Sequence, residues 1–328
     1  MKPTLSQSAP HIRRGRTTSA IMLDVLIALT PSVVAAVYVF GVRALLLLTV
    51  TMAASAAAQW LCLALRKGGE FDGSALVTGA LLALSLPAGT SLWAAAAAGV
   101  FAVAVVKEAF GGIGHNLFNP AMAARGLLLV AFPTLLTGYT RPDAVSSATP
   151  LSGIGSPGGP AEWLPMLTGT ENGSMGETSA LLLLVGGIYL VLRGVIRLRI
   201  PMTCLGAFAA VMWVFGGERG LFTGNVVAQL LSGGLMLGAF YMVTDFTTKP
   251  TTFLGELLFA GGVGALTAVL RIWGPYPEGV CFAILLMNLL VPYSEILTRQ
   301  DRLGIAKAKA NNVPNDNIER IIKKAAGE

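Results

Sequence analysis

Several apolar runs without ionisable side chains are long enough to cross a lipid bilayer. Residues 44–65 and 221–244 form two such runs, and residues 73–106 form one that is long enough for two crossings. A helix needs about 20 residues to span the hydrocarbon core. Only 12% of the 328 residues are charged, whereas soluble domains contain about 25%. The sequence therefore predicts an all-α integral membrane protein, because each helix satisfies its own backbone hydrogen bonds in lipid.

The hydropathy pattern divides into about ten predicted transmembrane helices. We expect them at residues 21–40, 44–65, 73–87, 92–108, 121–136, 179–195, 202–215, 224–243, 252–270 and 279–297. Two of these helices contain glycine where a helix breaks or approaches a neighbour closely, at Thr78-Gly79 and at residues 232–234. We predict that these two glycine-rich helices meet near the membrane midplane and line a cofactor or ion pathway.

Lysine and arginine are distributed unevenly between the two sides of the predicted membrane. With the N-terminus inside, 18 basic residues fall on the cytoplasmic side and four on the other, while Arg125 lies within a helix. The positive-inside rule then predicts that both termini are cytoplasmic. The net charge of +6 does not indicate a nucleic-acid partner, because the basic residues occupy short loops between apolar runs.

One long loop divides the predicted helices into two groups of five. Residues 1–20 lack a small-residue cleavage site, so we interpret them as a basic cytoplasmic tail and not as a signal peptide. The remaining divisions are a first membrane repeat at 21–136, the external loop at 137–178, a second membrane repeat at 179–297 and a cytoplasmic tail at 298–328. A loop of this length is usually functional or disordered.

The two groups of five helices resemble each other weakly. Residues 78–84 are similar to residues 232–238, and residues 119–133 have the apolar pattern and terminal proline of residues 278–292. Five is an odd number, so the second group would enter the membrane from the opposite side, as an inverted repeat. The alternative is chance similarity between helices rich in leucine and glycine.

Motifs of soluble enzymes are absent from the sequence, and we predict neither a catalytic residue nor a metal site. Three single cysteines lie in apolar segments without the spacing of metal ligands, at Cys62, Cys204 and Cys281. His115 lies in the glycine-rich segment 111–120, which is either a structural turn or part of a cofactor or ion path.

A few ionisable residues lie in or near the predicted helices, where charge usually faces a polar interior. Asp24 and Glu256 are the better candidates for an ion path. Lys107 and Glu108 lie near a predicted membrane interface and are interpreted as solvated, while Glu278 is expected at a helix entrance, where an acid suits the helix dipole.

The external loop contains the segment Asp143-Ala144-Val145-Ser146-Ser147-Ala148-Thr149-Pro150. Taken by its residues alone, the segment is a surface turn with clustered hydroxyl groups. It resembles the flavinylation signal Asp-x-x-Ser/Thr-Gly-Ala-Thr/Ser, in which a flavin transferase moves FMN from FAD onto the last hydroxyl group. Asp143, Ser146, Ala148 and Thr149 match that signal, and Ser147 stands where the signal usually has glycine.

Three further segments, at residues 71–79, 115–121 and 242–250, resemble signature stretches of one membrane protein family. That family joins RnfD, a membrane component of the Rnf complex, to NqrB, a membrane component of the Na+-pumping NADH:quinone reductase. The resemblance extends over about residues 15 to 300 in the same order, and the short N-terminal tail is more similar to the Rnf branch.

The resemblance implies an electron-relay subunit of a membrane complex that passes electrons between ferredoxin and NAD and moves Na+ or H+. It implies FMN on Thr149, attached by a flavin transferase, and relatives can also hold riboflavin non-covalently between helices. Thr78, His115 and Asn119 are further candidate cofactor-binding residues. The implied partners are the lipid bilayer and the other membrane, flavin and iron–sulfur subunits. The alternative from a different functional class is a small-solute transporter or channel with an inverted repeat and no flavin.

Overall fold

The computed structural model describes residues 17–66, 71–137, 173–177, 179–217, 220–274 and 278–298. All regular secondary structure in these ranges is helical, which confirms the predicted all-α class. The loop segment at 143–149, with Asp143, Ser146, Ser147, Ala148 and Thr149, lies outside the described residues.

Twelve α-helices occur in the described ranges, and two of them continue into π-helices. In the first half they are α1 (Thr18–Phe40), α2 (Val42–Arg66), α3 (Ser74–Ser85), α4 (Leu92–Val100), α5 (Pro120–Ala131) and α6 (Pro133–Thr137). In the second half they are α7 (Ala180–Leu192), α8 (Arg199–Phe215), α9 (Val226–Leu231), α10 (Leu235–Leu237), α11 (Phe253–Trp273) and α12 (Val280–Thr298). The π-helices are Phe101–Lys107 after α4 and Gly238–Met242 after α10.

Four helical stretches in the described part of the chain are long and apolar enough to cross a membrane alone. They are Thr18–Phe40, Val42–Arg66, Leu92–Phe110 and Phe253–Trp273. Large apolar side chains on α1 and α2, such as those of Val34 and Leu65, are exposed, as expected for surfaces that face lipid. The chain is therefore a multi-pass membrane protein, while the count of ten crossings stays a prediction.

In each half of the chain one helix packs against two others. In the first half α2 packs against α3 and α4, and in the second half α11 packs against α8 and α12. The halves meet where α1 packs against α7 and α5 packs against α12. The division of the chain into two inverted repeats stays a prediction.

Two expected helices are interrupted, one next to a proline and the other at a glycine. Phe132 separates α5 from α6, because the residue before Pro133 avoids helical backbone angles. The expected helix 224–243 breaks at residues 232–234, where Ser232 is extended and Gly233 has a φ of 69°. Glycine adopts this left-handed conformation without the steric penalty of a Cβ atom.

The two glycine-rich segments pack differently from the prediction that they meet directly. A Cβ atom at Gly79 would lie 2.7 Å from Met52 Cα, so Gly79 allows α3 to approach α2 and not the second half. The short turn at residues 173–177 lies between the segments instead. Met175 N donates to Leu86 O (3.0 Å), and a Cβ atom at Gly176 would be 3.1 Å from Leu237 Cδ2.

Candidate functional site

A cavity of about 90 Å3 lies where the two halves meet. Its apolar wall comes from α1, α3 and the end of α7, and includes Val25, Leu81 and Leu190. Its polar lining comes from Ser74, Thr78, Lys107, Asn116, Asn119, Thr244, Asp245 and Thr247. The cavity thus brings together the segments 71–79, 115–121 and 242–250, which are far apart in the sequence.

Asp72 organises the start of α3 beside this cavity. Its Oδ1 atom accepts hydrogen bonds from Ser74 N (3.0 Å), Ser74 Oγ (2.5 Å) and Gln59 Nε2 (3.0 Å), and Lys107 Nζ lies 3.5 Å away. Burial opposes ionisation of Asp72, but the hydrogen bonds from Ser74 and Gln59 and the charge of Lys107 outweigh it. The pKa of Asp72 is therefore held below its ordinary value.

Lys107 and Glu108 are buried, which corrects the interpretation that they are solvated. Lys107 Nζ donates to Ser74 Oγ and lies 3.5 Å from Glu108 Oε1, while Arg66 Nη1 lies 3.1 Å from Glu108 Oε2. With Asp72, these residues form a network of two cations and two anions. The charges balance, which offsets the cost of removing them from water.

The turn after α4 depends on glycines with positive φ. Gly111 (125°), Gly112 (93°) and Gly114 (92°) turn the chain back toward α5. His115 is exposed and lies outside the cavity lining, next to Gly111, so this geometry gives no support to His115 as a cofactor ligand in the cavity.

Asn116 and Asn119 connect this turn to the second half. Asn116 Nδ2 donates to Phe118 O and to Thr247 Oγ1, both at 3.1 Å. Asn119 caps α5, because its Oδ1 accepts from Met122 N (3.2 Å), and its Nδ2 lies 3.5 Å from Met242 O. The two asparagines therefore hold the start of α5 against the segment that follows the π-helix Gly238–Met242.

Asp245 also lines the cavity, and its carboxylate accepts hydrogen bonds from the hydroxyl groups of Thr247 and Thr248. Its Oδ2 accepts from Thr247 Oγ1 (3.0 Å) and Thr248 Oγ1 (3.2 Å), and its Oδ1 accepts from Thr247 N (3.3 Å). Burial raises the pKa of Asp245 despite these hydrogen bonds. The carboxyl group of Asp245 lines the cavity together with the hydroxyl group of Thr247.

Each π-helix contributes one residue to the lining of the cavity. Lys107 ends the first, and Tyr241 belongs to the second. The Tyr241 hydroxyl group lies 3.2 Å from Ala28 O of α1 and 3.1 Å from Leu183 O of α7, which fixes the second π-helix between these helices. π-Helical turns are rare and frequently occur at functional sites.

The two acids expected on an ion path are both engaged by basic side chains. Arg193 Nη2 lies 2.9 Å from Asp24 Oδ1, and Tyr189 Oη also donates to that oxygen. Glu256 is surrounded by three basic residues, at Arg197, Arg199 and Lys249. Neither acid lines the cavity, so the cavity gives no support to an ion path through them, and that path stays a prediction.

A second buried ion pair joins the halves away from the cavity. Arg125 of α5 pairs with Glu278, just before α12, and Cys281 Sγ lies 3.1 Å from Met122 O. Glu278 is thus at a helix entrance, as expected, and is also the partner of the intramembrane Arg125.

Among the candidate residues, Thr78 and Asn119 line the cavity. Lys107, Asn116 and Asp245 also line it, although the sequence reasoning did not select them as site residues. Asn116 and Asp245 lie within the recognised segments, so their polar side chains in otherwise apolar surroundings were the available signal. Nothing in the sequence around Lys107 indicated that it lines a cavity, because its burial depends on contacts with Asp72 and Ser74, which are distant in the sequence.

Comparisons with known proteins agree with these segments. The model of the NQR2, RnfD, RnfE family matches residues 5–304. The D-type subunit of a proton-translocating ferredoxin:NAD(+) oxidoreductase complex from Clostridium ljungdahlii is 39% identical, covering 90% of this chain and 95% of that protein. The D-type subunit of a Na(+)-translocating ferredoxin:NAD(+) oxidoreductase complex from Acetobacterium woodii is 40% identical, covering 92% of this chain and 96% of that protein.

Proposed function

Because the chain belongs to the NQR2, RnfD and RnfE family, we propose that it is an electron-relay subunit of an ion-translocating ferredoxin:NAD+ oxidoreductase complex. In this proposal the chain acts only within the complex, and other subunits carry the chemistry of ferredoxin and NAD+. The names of the two relatives specify H+ for one and Na+ for the other, so the coupling ion of this chain is one of these two cations.

The observation that carries the proposal is the convergence of the three signature segments on one cavity between the halves. A relay subunit needs a buried site for a redox group. A transporter would also need a midplane cavity, but the relatives match over about nine tenths of both chains and are named as oxidoreductase subunits. Redox function is therefore favoured over small-solute transport.

The cavity lining offers polar and apolar groups suited to a flavin held without a covalent bond. The cavity of about 90 Å3 would have to widen to admit the ring system, because small-molecule sites usually measure about 300–1,000 Å3. Flavin rings have an apolar edge and an edge with carbonyl and N–H groups. Val25, Leu81 and Leu190 provide apolar wall, while the amide of Asn116 and the hydroxyl group of Thr78 provide hydrogen-bonding groups. A bound flavin would supply one- and two-electron transfer there. The residues of the chain would orient it and exclude water.

A second flavin, FMN, is proposed on the Thr149 hydroxyl group, on the evidence of the sequence signal alone. A flavin transferase would use FAD as the donor, so the Thr149 oxygen would form a bond to the FMN phosphorus and AMP would leave with the hydroxyl proton. The attachment site would lie in the external loop, with both termini in the cytoplasm and the protein in the bacterial inner membrane.

The covalent flavin is tested by expressing the full chain together with a flavin transferase. After denaturing electrophoresis, the band of the wild-type chain should fluoresce, and mass spectrometry of a digest should locate FMN on Thr149. Thr149→Ala should abolish the fluorescence, whereas Ser147→Ala, at a position where this chain departs from the signal, removes a neighbouring hydroxyl group and should keep it. An unmodified Thr149 in co-expressed protein would contradict the proposal.

The non-covalent flavin is tested separately. Acid extraction of the purified complex should release a non-covalently bound flavin into the supernatant, whereas FMN attached to Thr149 should stay with the precipitated protein. Asn116→Ala should lower this released amount and leave the fluorescence of the Thr149 adduct unchanged. A complex active in ferredoxin:NAD+ electron transfer that releases no flavin from this chain would overturn the cavity assignment and leave the relay function standing.

A further inference from the structure

Glu256 is the centre of a dense cluster of charge at the start of α11. Its side chain is 1% exposed, and three basic residues surround it. Arg197 Nη1 lies 3.3 Å from Oε1, Arg199 Nε lies 2.8 Å from Oε2, and Lys249 Nζ lies 2.7 Å from Oε1. We call these four residues the Glu256 cluster. Lys249 also interacts with a second carboxylate, that of Asp245, so three basic groups face two acids and one positive charge is in excess, on the side of the two arginines.

The basic groups of the Glu256 cluster remain accessible to varying degrees. The side chain of Arg197 is 63% exposed and that of Arg199 is 31% exposed, although both contact Glu256. Their guanidinium groups can therefore bind a further anion without leaving the carboxylate. Arginine presents several N–H donors in a plane, which suits the oxygen atoms of a phosphate group.

Exposed apolar side chains border the Glu256 cluster. Arg199 Cζ lies 4.5 Å above the ring centre of Phe253, and that ring is more than half exposed. Leu254 and Leu258 follow on α11 at a spacing of four residues, so they share a face of this helix, and both are exposed. Since α11 is long and apolar enough to span a membrane, this face is suited to acyl chains.

We propose that the Glu256 cluster and the adjoining face of Phe253, Leu254 and Leu258 form a binding site for an anionic phospholipid. The phosphate group would lie against Arg197 and Arg199, and the acyl chains would follow α11. Basic clusters at the cytoplasmic ends of membrane helices bind anionic headgroups in this way. A soluble protein partner fits less well, because the apolar face continues along a membrane-spanning helix.

The test uses the purified full chain in detergent, titrated with dioleoyl phosphatidylglycerol or dioleoyl phosphatidylcholine, with bound lipid counted by native mass spectrometry. The wild type should bind phosphatidylglycerol more tightly than phosphatidylcholine. Each arginine near a membrane surface contributes about fivefold to the binding of anionic lipid, so Arg197→Gln should lose about that factor and Arg197→Gln/Arg199→Gln more. Binding of phosphatidylcholine should not change.

Arg66→Gln is the matched control, because Arg66 is 40% exposed, engages Glu108 and belongs to the same predicted side. It should leave the preference for phosphatidylglycerol intact. Glycerol 3-phosphate, which has the phosphate group without acyl chains, should not displace the lipid at equal concentration. Displacement by it would identify a simple anion site and overturn the proposal.

Three further outcomes would also overturn it. In the first, the wild type binds the two lipids equally. In the second, Arg66→Gln loses as much affinity for phosphatidylglycerol as Arg197→Gln. In the third, Arg197→Gln binds phosphatidylglycerol normally but no longer co-purifies with another subunit of its complex, which would identify the Glu256 cluster as a protein contact. Arg197 is the primary position because its exposed side chain can be replaced at little cost to folding.

Discussion

Asn116 Nδ2 donates a hydrogen bond to Thr247 Oγ1 at 3.1 Å and thereby joins two segments that are 131 residues apart. The Thr247 hydroxyl group in turn donates to Asp245 Oδ2 (3.0 Å). The three side chains form a short hydrogen-bonded chain in the lining of the cavity. Changes in the protonation of Asp245 would therefore alter the acceptor of Thr247 and, through it, the position of Asn116.

Removing this link should weaken both the fold and the site. Thr247→Val and Asn116→Ala should each lower the free energy of unfolding, and a double-mutant cycle should give a coupling of about 1 kcal/mol. Thermal unfolding and the amount of extractable flavin are the measurements. Thr203→Val is the control, since the Thr203 hydroxyl group only donates within its own helix to Arg199 O. Additive effects of the two changes would contradict the link.

Substitution of Lys107, in the buried part of the charge network, should lower the stability far more than substitution of Arg66 at the exposed end of the network. Lys107→Gln leaves Asp72 and Glu108 with less compensation in buried surroundings, and breaking such a network typically costs about 3–5 kcal/mol. Arg66→Gln removes a pair that is partly exposed and should cost at most about 1 kcal/mol. Each variant removes one positive charge, so the difference between their losses of stability in thermal unfolding at matched pH measures the effect of burial.

The outcome that would contradict this interpretation is an equal loss of stability in both variants. Asp72 adds a pH test to the comparison. Because its folded pKa lies below the ordinary value near 3.8, its contribution is present above that value and is lost as the pH falls below it. Asp72→Asn should remove that part of the acid sensitivity while leaving stability near neutral pH reduced.

Helix contact in the second half depends on Gly264. A Cβ atom there would lie 2.0 Å from Cys204 O, so α11 and α8 could not keep their separation. Gly264→Ala should cost about 1–3 kcal/mol through overpacking. Gly206 of α8 has no atom within 4 Å of such a Cβ, and Gly206→Ala should be neutral or stabilise by about 0.5–1 kcal/mol. Thermal unfolding of the pair in detergent measures the difference, and equal changes would contradict it.

The sequence predicted the location of the helices better than their packing. The expected helices 44–65 and 252–270 correspond closely to Val42–Arg66 and Phe253–Trp273, because long apolar runs mark segments in lipid, even where one ionisable residue such as Glu256 lies near the helix start. The same apolar character conceals which face packs against protein, since side chains facing lipid are as apolar as those in the core. Gly79 was therefore expected to meet residues 232–234, whereas it packs against α2.

The site was predicted where a polar residue stands within an apolar segment and was missed where its meaning depends on distant partners. Thr78 and Asn119 were expected at a cofactor and line the cavity. Lys107 was interpreted as solvated because a lysine at the end of an apolar run usually reaches the interface. Its burial follows from Ser74 and Asp72, whose positions beside Lys107 are set by the packing of α3 against the end of α4.

Arg271 should be needed to hold the break between α9 and α10. Its guanidinium group is buried, with Nη1 donating to Gln229 O (2.6 Å) and Nη2 to Ser232 O (2.9 Å), and Cζ lies 4.9 Å above the ring centre of Phe208. Carbonyl groups at the end of an interrupted helix lack partners within that helix. The positive charge of Arg271 also interacts favourably with the negative, C-terminal end of the α9 dipole.

Arg271→Leu should therefore destabilise the protein by about 1.5–3 kcal/mol for each charged hydrogen bond removed. Arg271→Lys should fall between that variant and the wild type, because an ammonium group cannot reproduce the planar donors of arginine. Arg43→Leu is the control, since Arg43 donates to one carbonyl, Thr90 O (2.9 Å), in the first half. Hydrogen exchange at residues 229–238 should rise selectively in Arg271→Leu. Unchanged exchange there, with a general loss of stability, would assign Arg271 to packing against Phe208 alone.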